Sequence, residues 1–224
     1  QDIKVKKIGY RKYINELGWR EFSHSLINYF PQMLKGNLRK DFDNFPWVKN
    51  EKHLDSWKKG MTGYPIVDAG MRELNETGWM HNRVRMIVAS FLVKHLRIHW
   101  MEGEKHFKNY LVDYNEASNI AQWQWVAGCG ADAAPYFRIF NPIIQGEKFD
   151  KEGIYTKRWV PELLNMPNKF LYKPWELEKK YQEQIKVVIG IDYPKPMVDH
   201  ASARNSALEA FQKIKKNNYQ DSAE

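Results

Sequence analysis

Glu16, Trp19 and Arg20 stand at i, i+3 and i+4, so one helical face offers a carboxylate, a large ring and a guanidinium. Such a trio can stack on a planar ligand and hydrogen-bond its edge. The same spacing also suits a surface Glu16–Arg20 pair with Trp19 packed inward. A second cluster runs from Gly78 to Met86, where Asn82, Arg85 and Met86 share a face. An asparagine amide both donates and accepts, which suits the edge of a base or a similar heterocycle. Met86 adds an adaptable apolar contact. Arg83 lies off that face, either reaching for phosphate or simply exposed on a first helical turn. In the third cluster, Asp113 can balance Arg85, Asn119 and Trp123 are i, i+4 neighbours, and Trp125 points elsewhere. Two tryptophans so close, beside Asn119 and Gln122, are unusual for plain packing.

Other chemistry finds less support. His95 and His99 are i, i+4 apart, but no third ligand has an obvious spacing, so no metal is expected. Cys129 sits between Gly128 and Gly130 without an assignable base and reads as a small packing residue. As the only cysteine it excludes an internal disulfide and a cysteine-based zinc site, and it fits a reducing compartment. There is no glycine-rich phosphate loop and no Ser-His-Asp arrangement.

The elements that must position these residues are helical. Apolar periodicity predicts helices over 10–29, 54–59, 66–76, 81–100, 104–111 and 115–127. Of these, 81–100 is the longest continuous candidate. Pro31, Gly60, Gly78 and the Gly128–Gly130 run mark ends. Further on, 135–148 reads as an ordered loop with short helical pieces, 159–164 and 174–185 as helices, and 187–191 as a strand or an extended link. A terminal helix is expected over 202–215 with Ser202 as its N-cap. The expectation is an all-α fold, one domain over 1–216 and a flexible tail over 217–224.

Composition widens the case without deciding it. The 224 residues are 43 % hydrophobic and 14 % aromatic, enough for a core with large rings to spare. A formal charge of +8 favours polyanions, though many basic proteins bind none. No run of about twenty apolar residues is present to span a bilayer, and nothing at the start looks like a signal peptide.

Taken in order, the segments 15–22, 62–69, 78–83, Trp123-Gln124-Trp125 and Asp132 through Lys148 resemble the FAD-domain signature of the photolyase/cryptochrome family. The similarity runs from about Tyr10 to the terminal helix and is closest to class I cyclobutane pyrimidine dimer photolyases. It implies a helical domain holding FAD in a U shape, with Arg20, Trp79, Asn82, Arg85, Asp113, Asn115 and Asn119 as contacts. Asn119 matches the position beside flavin N5. Asn115 departs from the Asp of many members, keeping hydrogen bonds but losing a charge. The resemblance implies a lesion pocket of Glu16, Trp19, Asn82, Met86 and Trp125, and phosphate clamps at Arg83, Arg138 and Lys148. It also implies an electron-passing chain of Trp47, Trp100 and Trp123. Family (6-4) enzymes carry histidines at the positions of Asn82 and Met86, and the DASH-like branch carries Tyr at that of Trp125, so dimer repair on UV-damaged duplex DNA is the expected activity.

An antenna chromophore of folate or deazaflavin type is expected only in an N-terminal α/β domain absent from this chain. A monomer in the bacterial cytoplasm, nucleoid-associated when on DNA, is the expected state. A cryptochrome-like photoreceptor and a non-enzymatic DNA-binding remnant are the rival readings.

Overall fold

The computed structural model describes residues 2–131 and 137–221, with side chains over 9–131 and 137–215. Residues 132–136 of the signature stretch and the end of the expected tail, 222–224, lie outside the described residues. The helices are α1 (Asp2–Tyr29), α2 (Glu51–Lys58), α3 (Pro65–Thr77), α4 (Asn82–Ser90), α5 (Trp100–Tyr110), α6 (Glu116–Ala127), α7 (Pro142–Phe149), α8 (Ile154–Trp159), α9 (Lys179–Gln184) and α10 (His200–Asp221). Among the described residues the only β pairing is an isolated bridge between Ile189 and Tyr193. The all-α expectation therefore holds, and 187–191 is neither a strand nor an extended link but runs into a tight turn in which Ile191 N and Asp192 N donate to Val188 O.

Helix α6 is the central strut. It packs against α1, α4 and α5, while α3 packs against α4, α7 and α8. Local chemistry sets the ends. Pro65 opens α3, and Gly78, at φ +70°, closes it in the left-handed region that a side chain would strain. Asn115 caps α6 by accepting from Ser118 N at 3.0 Å. Trp57, Trp100, Trp123, Phe91 and Leu92 are buried in one continuous core.

The expected 81–100 helix is not continuous. After Ser90 the backbone widens into a π turn over Phe91–His95, which turns Lys94 and His95 into the core. Arg97 then takes φ +51°, and a new helix starts at Trp100 with His99 Nδ1 accepting from Met101 N. Residues 174–185 are a 3₁₀ turn followed by the short α9 rather than one helix. Residues 159–164 hold the last residue of α8, Trp159, and then a 3₁₀ turn over Pro161–Leu163 rather than one helix. Helix α8 was not expected; Asp150 starts it by accepting from Tyr155 N and Thr156 N. Ser202 is not the cap of α10: Asp199 accepts from Ser202 N at 2.8 Å. The helix continues to Asp221, through most of the expected tail.

The π turn meets α10 through two histidines, His95 Nε2 lying 2.8 Å from His200 Nδ1. Burial, and then the neighbouring His200, push His95 from the ordinary 6.5 down to about 3. The unfolded chain thus takes up a proton that the folded chain refuses. Stability is full above the unfolded value and falls as pH drops toward 3, by up to about 1.4 kcal/mol per pH unit. Urea midpoints should fall over this range. A His95→Phe variant, keeping the ring stacked on Phe91, should flatten the slope; an unaltered slope would show that other groups dominate acid sensitivity.

Candidate functional site

Two adjoining cavities lie where α1, α4, α5 and α6 meet. The inner one, about 320 Å³, has Phe107, Leu111 and Trp123 among its apolar walls and Asn115 and Asn119 at its polar edge. The outer one, about 560 Å³, opens beside Glu16, Trp19, Trp79 and Trp125. Arg20, Asn82, Arg85, Met86 and Asp113 line both, so the cavities share a wall.

The expected residues are therefore brought together, with some re-sorting. Glu16, Trp19, Asn82, Met86 and Trp125 gather around the outer cavity. Trp19 is 49 % exposed, so it does not pack inward, and Arg20 pairs with Glu21 at 3.0 Å rather than with Glu16. Arg20, Asn82, Arg85, Asp113, Asn115 and Asn119 reach the inner cavity. Trp79 does not; it lines the outer cavity with its ring edge-on to His81. Arg85 donates to both Asp113 oxygens at 3.0 and 2.8 Å, the pairing its charge suggested. Asn115 is engaged within the protein by its cap and by His24, 3.2 Å from its amide nitrogen.

Asn119 is held by a residue that the sequence did not single out. Its amide nitrogen donates to Glu104 O at 3.3 Å and to Glu104 Oε1 at 3.2 Å, which aims its carbonyl away from α5. The same carboxylate accepts from Tyr114 at 3.1 Å. Burial first, and Glu104 second, push the Tyr114 phenol well above its ordinary value, so it stays a donor. Nothing in spacing links Glu104 to Asn119; only the packing of α5 on α6 does.

Trp123 closes the inner cavity from behind. It lies against Gly103, where a Cβ would come within 2.1 Å of the ring, so only glycine admits this approach. Gly103 is one turn along α5 from Trp100, and Trp100 and Trp47 flank His99 at 5.6 and 4.9 Å between ring centroids. Trp123 thus lines the inner cavity, Trp100 is buried, and Trp47 is half-buried. Outside the cavities, the Arg83 guanidinium and Lys148 ammonium sit over the Phe149 ring at 4.6 and 5.4 Å. Arg138 is exposed and shares a small cleft with Trp125. Cys129 is buried, and burial pushes its thiol up to about 12, which leaves it without nucleophilic character at neutral pH.

An apolar slot with amides and an ion pair along one edge fits a flat heteroaromatic ring with a polar rim, the chemistry of a flavin. Comparison with known proteins agrees. The FAD binding domain of DNA photolyase matches residues 13–213. The chain is 54 % identical over 205 residues to a deoxyribodipyrimidine photo-lyase of Agrobacterium fabrum, covering 92 % of this chain and 43 % of that protein. It is 50 % identical to the enzyme of that name from Escherichia coli, covering 91 % and 42 %. Among solved structures, a bacterial class III photolyase from Agrobacterium tumefaciens superposes with a TM-score of 0.88 at 54 % identity, covering 92 % and 42 %. A Synechocystis cryptochrome gives 0.85 at 40 % identity, covering 89 % and 41 %. The chain spans less than half the length of these relatives. From the fold, the paired cavities and these matches, the chain belongs to the FAD-binding domain family of DNA photolyases.

Proposed function

We propose that this chain is the flavin- and lesion-holding part of a light-driven enzyme that splits cyclobutane pyrimidine dimers in duplex DNA. The observation that carries the reading is the shared wall: a slot suited to a flavin opens directly onto a pocket rimmed by three tryptophans, Trp19, Trp79 and Trp125. The names of the relatives support it. Reduced FAD, when bound, supplies a light-excited one-electron donor. Arg85, Asp113 and Asn119, the last fixed by Glu104, would hold its polar edge, and Trp123 would pack against its ring system. An antenna chromophore of folate or deazaflavin type would be held outside this chain.

The remaining roles belong to side chains on the page. A dimer flipped from the duplex loses its stacking. Trp19 and Trp125 would replace that stacking. Glu16 accepts from a pyrimidine N–H and Asn82 bonds the neighbouring carbonyl, which holds the dimer at the wall and favours the added electron. Arg83, Arg138 and Lys148 would neutralise phosphates along the strand. Asn82, Met86 and Trp125 are the residues on which the preference for cyclobutane dimers in duplex DNA rests.

The test is flavin content together with repair. FAD is added, the excess removed, and dimer-containing duplex illuminated with the loaded chain. Glu16→Ala should lower repair by about tenfold or more, the loss of one charged hydrogen bond, while flavin content stays near wild type. Equal loss of both would show a folding defect. Full repair without the Glu16 carboxylate would remove it from the lesion pocket. Flavin retention with no repair in the wild type would favour the photoreceptor reading.

A further inference from the structure

We infer that Trp57, His106 and Tyr110 form a second aromatic path from Trp123 to the surface, ending at Tyr110 and separate from Trp100 and Trp47. The inference rests on the proposed function, since it needs Trp123 to give up an electron toward the inner cavity. Behind that cavity, Trp123 meets Trp57 edge-on at 6.2 Å between centroids. Trp57 lies 5.6 Å from His106, and His106 lies 4.4 Å from Tyr110. The path runs through buried rings and comes out at a phenol that is 43 % exposed.

Two details suit these residues to carry charge. The Trp57 indole N–H donates to Val88 O at 3.0 Å, so a carbonyl dipole faces the ring where positive charge would arise. His106 stays neutral and bridging. Asn75 donates its amide to Lys58 O, so its oxygen faces His106 Nε2 at 3.2 Å and must accept from it. A cation in the middle of the path would oppose the movement of a positive hole, and burial holds His106 down at about 4.

The electrons balance as follows. Photoexcited oxidised flavin takes one electron from Trp123. Trp57 returns one electron to the Trp123 radical cation and becomes a radical cation itself. Tyr110 gives one electron to Trp57 and its phenolic proton to water, leaving a neutral tyrosyl radical. An external thiol then returns a hydrogen atom to Tyr110, and pairs of thiyl radicals combine to disulfide.

The experiment illuminates flavin-loaded chain made with ring-deuterated tyrosine, freezes it, and reads the radical by electron paramagnetic resonance. Trp47→Phe should keep a tyrosyl signal whose splitting changes on deuteration. Trp47→Phe/Tyr110→Phe should lose it at least tenfold; Tyr110 is on the surface, so this second change should not disturb folding. No tyrosyl signal in Trp47→Phe, or an equal one in the double variant, overturns the path and leaves the proposed function standing. A flavin-loaded wild type with no light-driven radical overturns both. A flavin-free arm oxidises the chain with azide radicals: Tyr110→Phe should reduce the transfer from tryptophanyl to tyrosyl radicals, and an unaltered transfer counts against the path.

Discussion

Asp68→Ala should destabilise the chain by about 3–5 kcal/mol, a large part of the about 5–15 kcal/mol available to an ordinary domain. Asp68 is fully buried at the start of α3, and its two oxygens collect four donors. Thr62 gives its backbone N–H at 2.7 Å and its hydroxyl at 2.6 Å, Gly63 its N–H at 3.0 Å, and Tyr193 its hydroxyl. Burial pushes the Tyr193 phenol well above its ordinary value, so it remains a donor. Removing the carboxylate strands all four donors in a dry place, and each stranded group costs about 1–3 kcal/mol. Met197 N also bonds Thr62 O, so the same loop fastens the chain before α10. Denaturant titration would measure the loss. A change under about 1 kcal/mol would mean that water or a shifted loop satisfies the donors.

The second large effect concerns the outer cavity. Trp19→Ala/Trp125→Ala should weaken binding of dimer-containing duplex by about 100-fold or more, since stacking on one ring is worth about 1–3 kcal/mol per base. Flavin content should stay near wild type, because neither ring lines the inner cavity. Affinity for undamaged duplex should change little, being set by charge and salt. Fluorescence anisotropy with damaged and undamaged duplexes would separate these outcomes. An equal loss for both would assign the two rings to general DNA contact instead of lesion recognition.

Much of this arrangement was legible in the sequence because it is local. Asn82, Arg85 and Met86 share a face through helical spacing alone, and Gly78 and Pro65 bound α3 through backbone chemistry that travels with the residue type. What escaped reading depends on packing. The π turn at Phe91–His95 preserves apolar content, so periodicity runs through it unbroken, although the helix ends before Trp100. Helix α8 is six residues long and too short to show a face; it exists because Asp150 holds its first turn. Glu104 belongs to a different helix from Asn119, and no pattern within α5 announces the partner on α6. Trp19 and Arg20 show the reverse case. The spacing allowed a surface Glu16–Arg20 pair with Trp19 packed inward, and the fold instead pairs Arg20 with Glu21 and leaves Trp19 exposed beside the outer cavity.

The wall common to the two cavities has a thermodynamic consequence. Arg20, Asn82, Arg85, Met86 and Asp113 face both sides, so a ligand that settles them on one side has already met the ordering cost for a ligand on the other. Each occupant would then be an effector of its neighbour, and linkage requires the coupling to be mutual: the factor by which an occupant of the inner cavity raises affinity at the outer one is the factor by which an occupant of the outer cavity raises affinity at the inner one.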